Sequence, residues 1–141
     1  MADKLELRVI SRTQATGRSP FKLKRDVDMA IMRCNTGDLG VLPGHVPCSM
    51  VLDSGILRFF EGDEESYMAL RGGMAHVSND VVTILSDSAL LADDMEVEDV
   101  EADILKKEEL LEKSESTADR SIYQDDLKYL KIMMDVLKSG K

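Results

Sequence analysis

The 141 residues include no tryptophan, only two cysteines and only three prolines, and each scarcity closes off a class of protein. Two cysteines cannot staple a small secreted scaffold, and Cys34 and Cys48 form no C-x-x-C clamp, so they read as reduced, structural thiols. His45 and His76 are the only histidines and are not spaced to complete a tetrahedral zinc site. No apolar run approaches the roughly 18 residues that a membrane-spanning helix needs. The opening Met1-Ala2-Asp3-Lys4-Leu5-Glu6 lacks the basic-then-apolar order of a secretory signal, which predicts a soluble, unprocessed chain. Clustered basic residues are missing too. With 27 acidic against 18 basic residues the net charge is −9, leaving no electrostatic footprint for nucleic acid or anionic lipid.

The acid is concentrated rather than spread. Residues 93–118 hold 11 acidic and 3 basic side chains, whereas residues 1–92 hold 12 and 10, and residues 119–141 hold 4 and 5. The hydrophobic content of 43% is enough for a packed core, so the chain reads as a folded domain with an unusually anionic appendage.

Period-2 alternation dominates the first part. Leu5, Leu7 and Val9 alternate with Glu6 and Arg8, and Val27, Met29 and Ile31 alternate with Asp28 and Ala30, predicting two half-buried strands. The polar segment Thr13–Pro20 reads as a loop. Further strands are expected at Cys48–Leu52, Ile56–Phe60, Tyr67–Leu70, Met74–Val77 and Val81–Ser86. Glu61-Gly62-Asp63 and Asn79-Asp80 supply turn chemistry between neighbours. Short strands at this spacing predict a sandwich or barrel.

After Ser88 the alternation stops, and neither glycine nor proline occurs from Asp93 to Leu137. Asp93 or Asp94 is expected to cap a first helix, with Val97, Val100, Ile104, Leu105 and Leu111 as its apolar stripe. Ser114–Thr117 breaks the pattern. A second helix follows with Tyr123, Leu127, Leu130, Met134 and Leu137 on one face and Asp126 and Asp135 turned away. Met133 and Met134 read as gap-filling core. About 45 residues are too few for a self-sufficient core, so the helical pair must borrow a surface from the strand part or from a partner.

The richest local sequence is Gly37-Asp38-Leu39-Gly40-Val41-Leu42-Pro43-Gly44-His45-Val46-Pro47. Three glycines and two prolines dictate backbone shape there, and a stiff turn pair is the plain reading. A phosphate-cradling loop would need Lys-Ser/Thr and a helix start after the glycines, and neither follows. The string resembles the G-[DE]-[LF]-G-[IV]-L-P-G-H-x-P motif of the ε subunit of F-type ATP synthases. Gly55-Ile56-Leu57-Arg58, Gly72-Gly73-Met74 and Val82-Thr83-Ile84-Leu85-Ser86-Asp87-Ser88 follow in that family's order. His76 stands where the family commonly has an acid.

The resemblance implies an N-terminal ten-stranded β-sandwich over residues 1–88 that binds the γ subunit and the ring of c subunits. It also implies a C-terminal antiparallel α-helical hairpin over residues 89–141 with a regulatory role. Asp38, Leu39, Gly40, Pro43, Gly44 and His45 would form the interface, Asp38 facing the polar loops of the ring and His45 approaching γ. No catalytic residue, metal or cofactor is implied, and the chain would reach the cytoplasmic face of a bacterial plasma membrane only through its complex. Some relatives bind ATP through [IL]-D-x-x-R-A at the start of the first helix. Here Met95-Glu96-Val97-Glu98-Asp99-Val100 puts Asp99 where arginine would meet phosphate, so weak or absent ATP binding is expected. In relatives the hairpin can extend transiently into the α/β headpiece and block hydrolysis; Lys128, Lys131, Lys138 and Lys141 are the candidates for those contacts. A free-standing binding module, a sandwich with a helical arm, is the rival reading, and an isolated enzyme lacks convergent titratable groups.

Overall fold

A computed structural model describes residues 4–13, 21–45 and 47–139. Most of the expected Thr13–Pro20 loop, Val46 of the glycine-rich string and Lys141 lie outside the described residues. The strands are β1 (Leu5–Thr13), β2 (Phe21–Val27), β3 (Met29–Cys34), β4 (Gly37–Val41), β5 (Cys48–Leu52), β6 (Gly55–Glu61), β7 (Glu64–Leu70), β8 (Gly73–Ser78) and β9 (Val81–Leu91). A 3-10 turn at Ala92–Asp94 leads into α1 (Val97–Lys113) and α2 (Thr117–Ser139).

A sandwich-type β body followed by two helices is therefore present, but the expected ten strands are nine among the described residues. Six of them, β9-β7-β6-β3-β5-β8, close into a ring, because β9 pairs with β7 at one end and β8 at the other. Its 11 residues make this possible: Val81–Leu85 face β8 and Ala89–Leu91 face β7. The buried Ser86 hydroxyl lies at the changeover, 2.7 Å from the Gly72 carbonyl and 3.0 Å from that of Ser88. Closure removes free edges from the ring, and the remaining strands flank it. β1 runs parallel to β9 and carries β2, while β4 is attached to β3.

Two departures from the expected strands have local causes. The alternation over Val27–Ile31 is not one strand but the end of β2 and the start of β3. Asp28 between them turns its amide to Phe60 O (2.7 Å), and its carboxylate accepts from Gly62 N (2.6 Å) and pairs with Lys4. The Gly37–Val41 stretch, expected as turn, is instead a strand in register with β3, Cys34 facing Gly37 and Ala30 facing Val41. Asn79-Asp80 does form the expected turn, both residues having positive φ (53° and 61°).

The main core gathers fully buried side chains from the ring and from flanking β1: Met32, Leu57, Phe59, Met68 and Ile84 with Leu5, Leu7 and Val9. A second apolar cluster lies outside it, where α2 covers the outer face of β6 and β7: Tyr129, Leu130, Val136 and Leu137 pack with Ala69, Leu90, Met95 and Val100. Met133 and Met134 fill gaps there, as expected. The hairpin has borrowed the barrel's surface.

Its details correct three expectations. Val97 begins α1, and Asp94 serves the preceding turn instead, its carboxylate accepting from Leu91 N at 2.9 Å. The stripe on α1 is narrower than the spacing suggested: Val100 is buried and Ile104 half-buried, while Leu105 is 69% exposed. Asp126 does not turn away from the body, because Arg71 at the end of β7 draws it inward.

Candidate docking surfaces

The glycine-rich segment is held from both sides. On β4, Asp38 and Gly40 face solvent while Leu39 and Val41 turn toward the core, so Leu39 is as much a packing residue as a surface one. Asp38 pairs with Arg33 on β3, Nη1 to Oδ1 at 3.4 Å. Pro43 and Gly44 then reverse the chain. His45 N donates to Leu42 O at 3.1 Å, and Gly44, with φ of 86°, donates its amide to the Asp80 carboxylate at 2.7 Å. Asp38, Leu39, Gly40, Pro43, Gly44 and His45 are thus one continuous, braced element.

A second surface escaped the sequence reading. The outer face of the four adjacent strands β1, β9, β8 and β5 carries a straight cross-strand row: Ile10 opposite Leu85, Leu85 opposite Met74, Met74 opposite Val51. Val51, Met74 and Leu85 are 60%, 56% and 52% exposed. Two residues along lies a polar row, Arg8, Thr83, His76 and Ser49, in which Ser49 Oγ and His76 Nδ1 are 2.7 Å apart. On the other side of the apolar row Arg12 pairs with Asp87. An apolar stripe with polar borders is the build of an interaction surface. The signal was present in the sequence: Val9-Ile10, Val51-Leu52, Met74-Ala75 and Ile84-Leu85 are adjacent apolar pairs, and in a strand adjacent residues point to opposite faces. One member of each pair fills the core, so the other must be apolar on the outside.

The barrel therefore has two apolar outer faces, one under the hairpin and one open. The covered face is locked by polar groups. Arg71 Nη2 lies 2.5 Å from Asp126 and 3.1 Å from Asp125, both on α2, and its guanidinium stands 5.4 Å from the Tyr129 ring centre. Lys107 on α1 reaches the other Asp126 oxygen at 3.0 Å and stands over the Tyr123 ring. The carboxylate pair Asp125-Asp126 is thus the joint between β7, α1 and α2. Burial by itself pushes the Asp126 pKa up, but the hydrogen bonds from Arg71 and Lys107 outweigh it and hold the carboxyl below its ordinary value. Tyr129, 5% exposed, donates to Ser88 Oγ (2.8 Å) with Ala69 O at 3.3 Å, and burial pushes its pKa up to about 12.

Lys128, Lys131 and Lys138 are exposed on α2; the first two border a cleft with Arg33, Asp53 and Asp135. Arg120, the sole arginine of α2, is committed to the end of α1, donating to Leu111 O at 2.9 Å. Among the described residues no three His, Cys, Asp or Glu side chains converge as a metal site, and no helix is long and apolar enough to cross a membrane.

Residues 17–92 match the family model described as ATP synthase, Delta/Epsilon chain, beta-sandwich domain. The ATP synthase epsilon chain of Rippkaea orientalis is 35% identical over 95 residues, 67% of this chain and 70% of that one. The chain belongs to the ATP synthase ε chain family. Other ε chains align over less of their length: the chloroplastic one of Lotus japonicus is 38% identical over 54% of this chain and 57% of its own, and that of Anoxybacillus flavithermus 40% over 51% and 54%. In fold, the chain resembles one in the Euglena gracilis mitochondrial ATP synthase, with a TM-score of 0.75 at 23% identity over 97% of this chain and 83% of that one. A chain of the Tetrahymena thermophila mitochondrial ATP synthase central stalk and c-ring gives 0.55 at 14% over 96% and 99%. An ε chain is a non-catalytic subunit of a membrane-associated synthase, so the free-standing module and the isolated enzyme are both set aside.

Proposed function

We propose that the chain is the ε rotor subunit of the central stalk, coupling the turning of the c-ring to ATP synthesis by clamping that ring to the γ subunit. The observation that carries this reading is the open apolar row Val51-Met74-Leu85 on a body whose other apolar face its own hairpin already covers. That row is the surface assigned to γ. The braced segment Asp38 to His45 is assigned to the c-ring and the adjoining part of γ, where a stiff element loses little entropy on docking and transmits torque without yielding. Residues 1–88 are assigned to the rotor role and residues 89–141 to regulation. The complex is assigned to a bacterial plasma membrane, with this subunit on its cytoplasmic face.

Regulation by the hairpin would work through release from β6 and β7, bringing Lys128, Lys131 and Lys138 to acidic groups of the α/β headpiece. Nucleotide is not assigned to it: Asp99 is exposed at the start of α1, and Arg120 is occupied at the end of that helix.

Binding of purified γ subunit to the wild-type chain and to Met74→Glu and Val51→Asp tests the rotor reading. A charge at the centre of a desolvated patch is expected to weaken binding by at least tenfold, about 1.4 kcal/mol, with the thermal midpoint held. Unchanged affinity in both variants would refute the assignment of this face.

A further inference from the structure

Asn79 and Asp80 are the only non-glycine residues with positive φ among the described residues. At the second position of such a hairpin turn glycine carries no backbone strain, whereas aspartate does. Asp80 therefore stands where a backbone criterion alone would select glycine. Its side chain supplies the reason: Oδ1 accepts the Gly44 amide at 2.7 Å from 36 residues away, a charge-assisted bond. The same residue's carbonyl accepts from Glu6 N at 2.8 Å, fixing the turn to the start of β1. The same turn is also closed locally by His45 N donating to Leu42 O at 3.1 Å.

From this geometry we infer that Asp80 is a positioning residue for the docking segment, its carboxylate setting the Leu42–His45 turn in the orientation that meets the partner. The strain at Asp80 is then retained because it aims the carboxylate. This deepens the rotor reading and rests on it for the identity of the partner. Gly73 is a useful contrast. There a Cβ would collide with the Leu85 carbonyl, so crowding makes glycine obligatory, whereas at Asp80 it is the side chain's bond to Gly44 that accounts for the residue.

The test uses the full chain with Asp80→Gly and Asp80→Asn, reading amide hydrogen exchange at Gly44 by NMR, the thermal midpoint, and affinity for purified γ subunit. Asp80→Gly is expected to leave the midpoint unchanged or raised, to speed Gly44 exchange about tenfold, and to weaken γ binding about five- to tenfold. Asp80→Asn, whose amide oxygen accepts the same bond, is expected to restore most of both. Gly44 exchange within twofold of wild type in Asp80→Gly would overturn the inference. So would faster exchange with undiminished affinity, since the turn's order would then be irrelevant to docking. If the wild-type chain itself fails to bind γ, the rotor reading falls and takes the docking half of the inference with it; Gly44 exchange still decides the brace.

Discussion

Replacing Tyr129 by phenylalanine isolates one polar contact of the docked hairpin while keeping the buried ring. The hydroxyl donates to Ser88 Oγ at 2.8 Å with Ala69 O at 3.3 Å, on a side chain only 5% exposed. Losing it removes a net contribution of about 1 kcal/mol and leaves acceptors less well satisfied in a dry contact, so about 1–2 kcal/mol of docking free energy should go. That is roughly a 5- to 30-fold shift toward the undocked hairpin. None of the ring's ladder bonds involves this group, so the loss should be confined to α1 and α2. Amide hydrogen exchange reads this directly: protection along α2 should fall by that factor while amides in β1 and β9 keep theirs. The two proteins should also differ in alkali. A tyrosine pKa raised from about 10 to about 12 on docking stabilises the docked state fully below pH 10. That contribution is lost as pH rises from about 10 to about 12, and Tyr129→Phe should lack this step. Exchange of α2 within twofold of wild type, or equal loss of protection in the barrel strands, would refute the reasoning.

Removing the Arg71 guanidinium with Arg71→Met should free the hairpin more strongly, because Asp126 would be left half-buried with Lys107 alone; a fluorescence distance between α2 and β5 should lengthen. In acid, the depressed pKa of Asp126 means its contribution is present above the ordinary aspartate value of about 4 and is lost as pH falls through the lower docked value. Exchange protection of α2 should therefore drop in that window before the barrel unfolds, and Asp126→Asn should remove the dependence. Gly73→Ala should abolish stable folding, since φ of 124° and the Leu85 carbonyl both exclude a side chain; a thermal midpoint within a few degrees of wild type would contradict this. Millimolar ATP should produce no heat in calorimetry and no thermal protection, and a micromolar dissociation constant would overturn the account of Asp99 and Arg120. Deleting residues 93–141 should raise the hydrolysis rate of the reconstituted synthase if the hairpin inhibits, and an unchanged rate would remove that role.

Strand content, the helical pair and the special segment at Gly37–Pro47 were legible in the residues, because period-2 and period-3.6 patterns and glycine-proline punctuation are local properties. Where strands began and ended was less so. Val27–Ile31 keeps its alternation across the break at Asp28, and only contacts to Phe60, Gly62 and Lys4, remote in sequence, make that break. Leu105 fits a helical stripe by spacing, yet α1 touches the body along too narrow a line to cover it.

The residues by themselves determined that this is a β body with a helical hairpin, that its first helix is strongly acidic, and that its glycine-rich segment is that of an ε chain. Only the tertiary structure decided that β9 closes the ring, that Ile10, Leu85, Met74 and Val51 line up as one open row, that Asp80 grips Gly44, and that Arg71 and Tyr129 hold the hairpin down. The row alone joins residues from 11 (Met74 and Leu85) to 75 (Ile10 and Leu85) positions apart, and cross-strand register and ion pairing depend on which elements meet, which no short window along the chain contains.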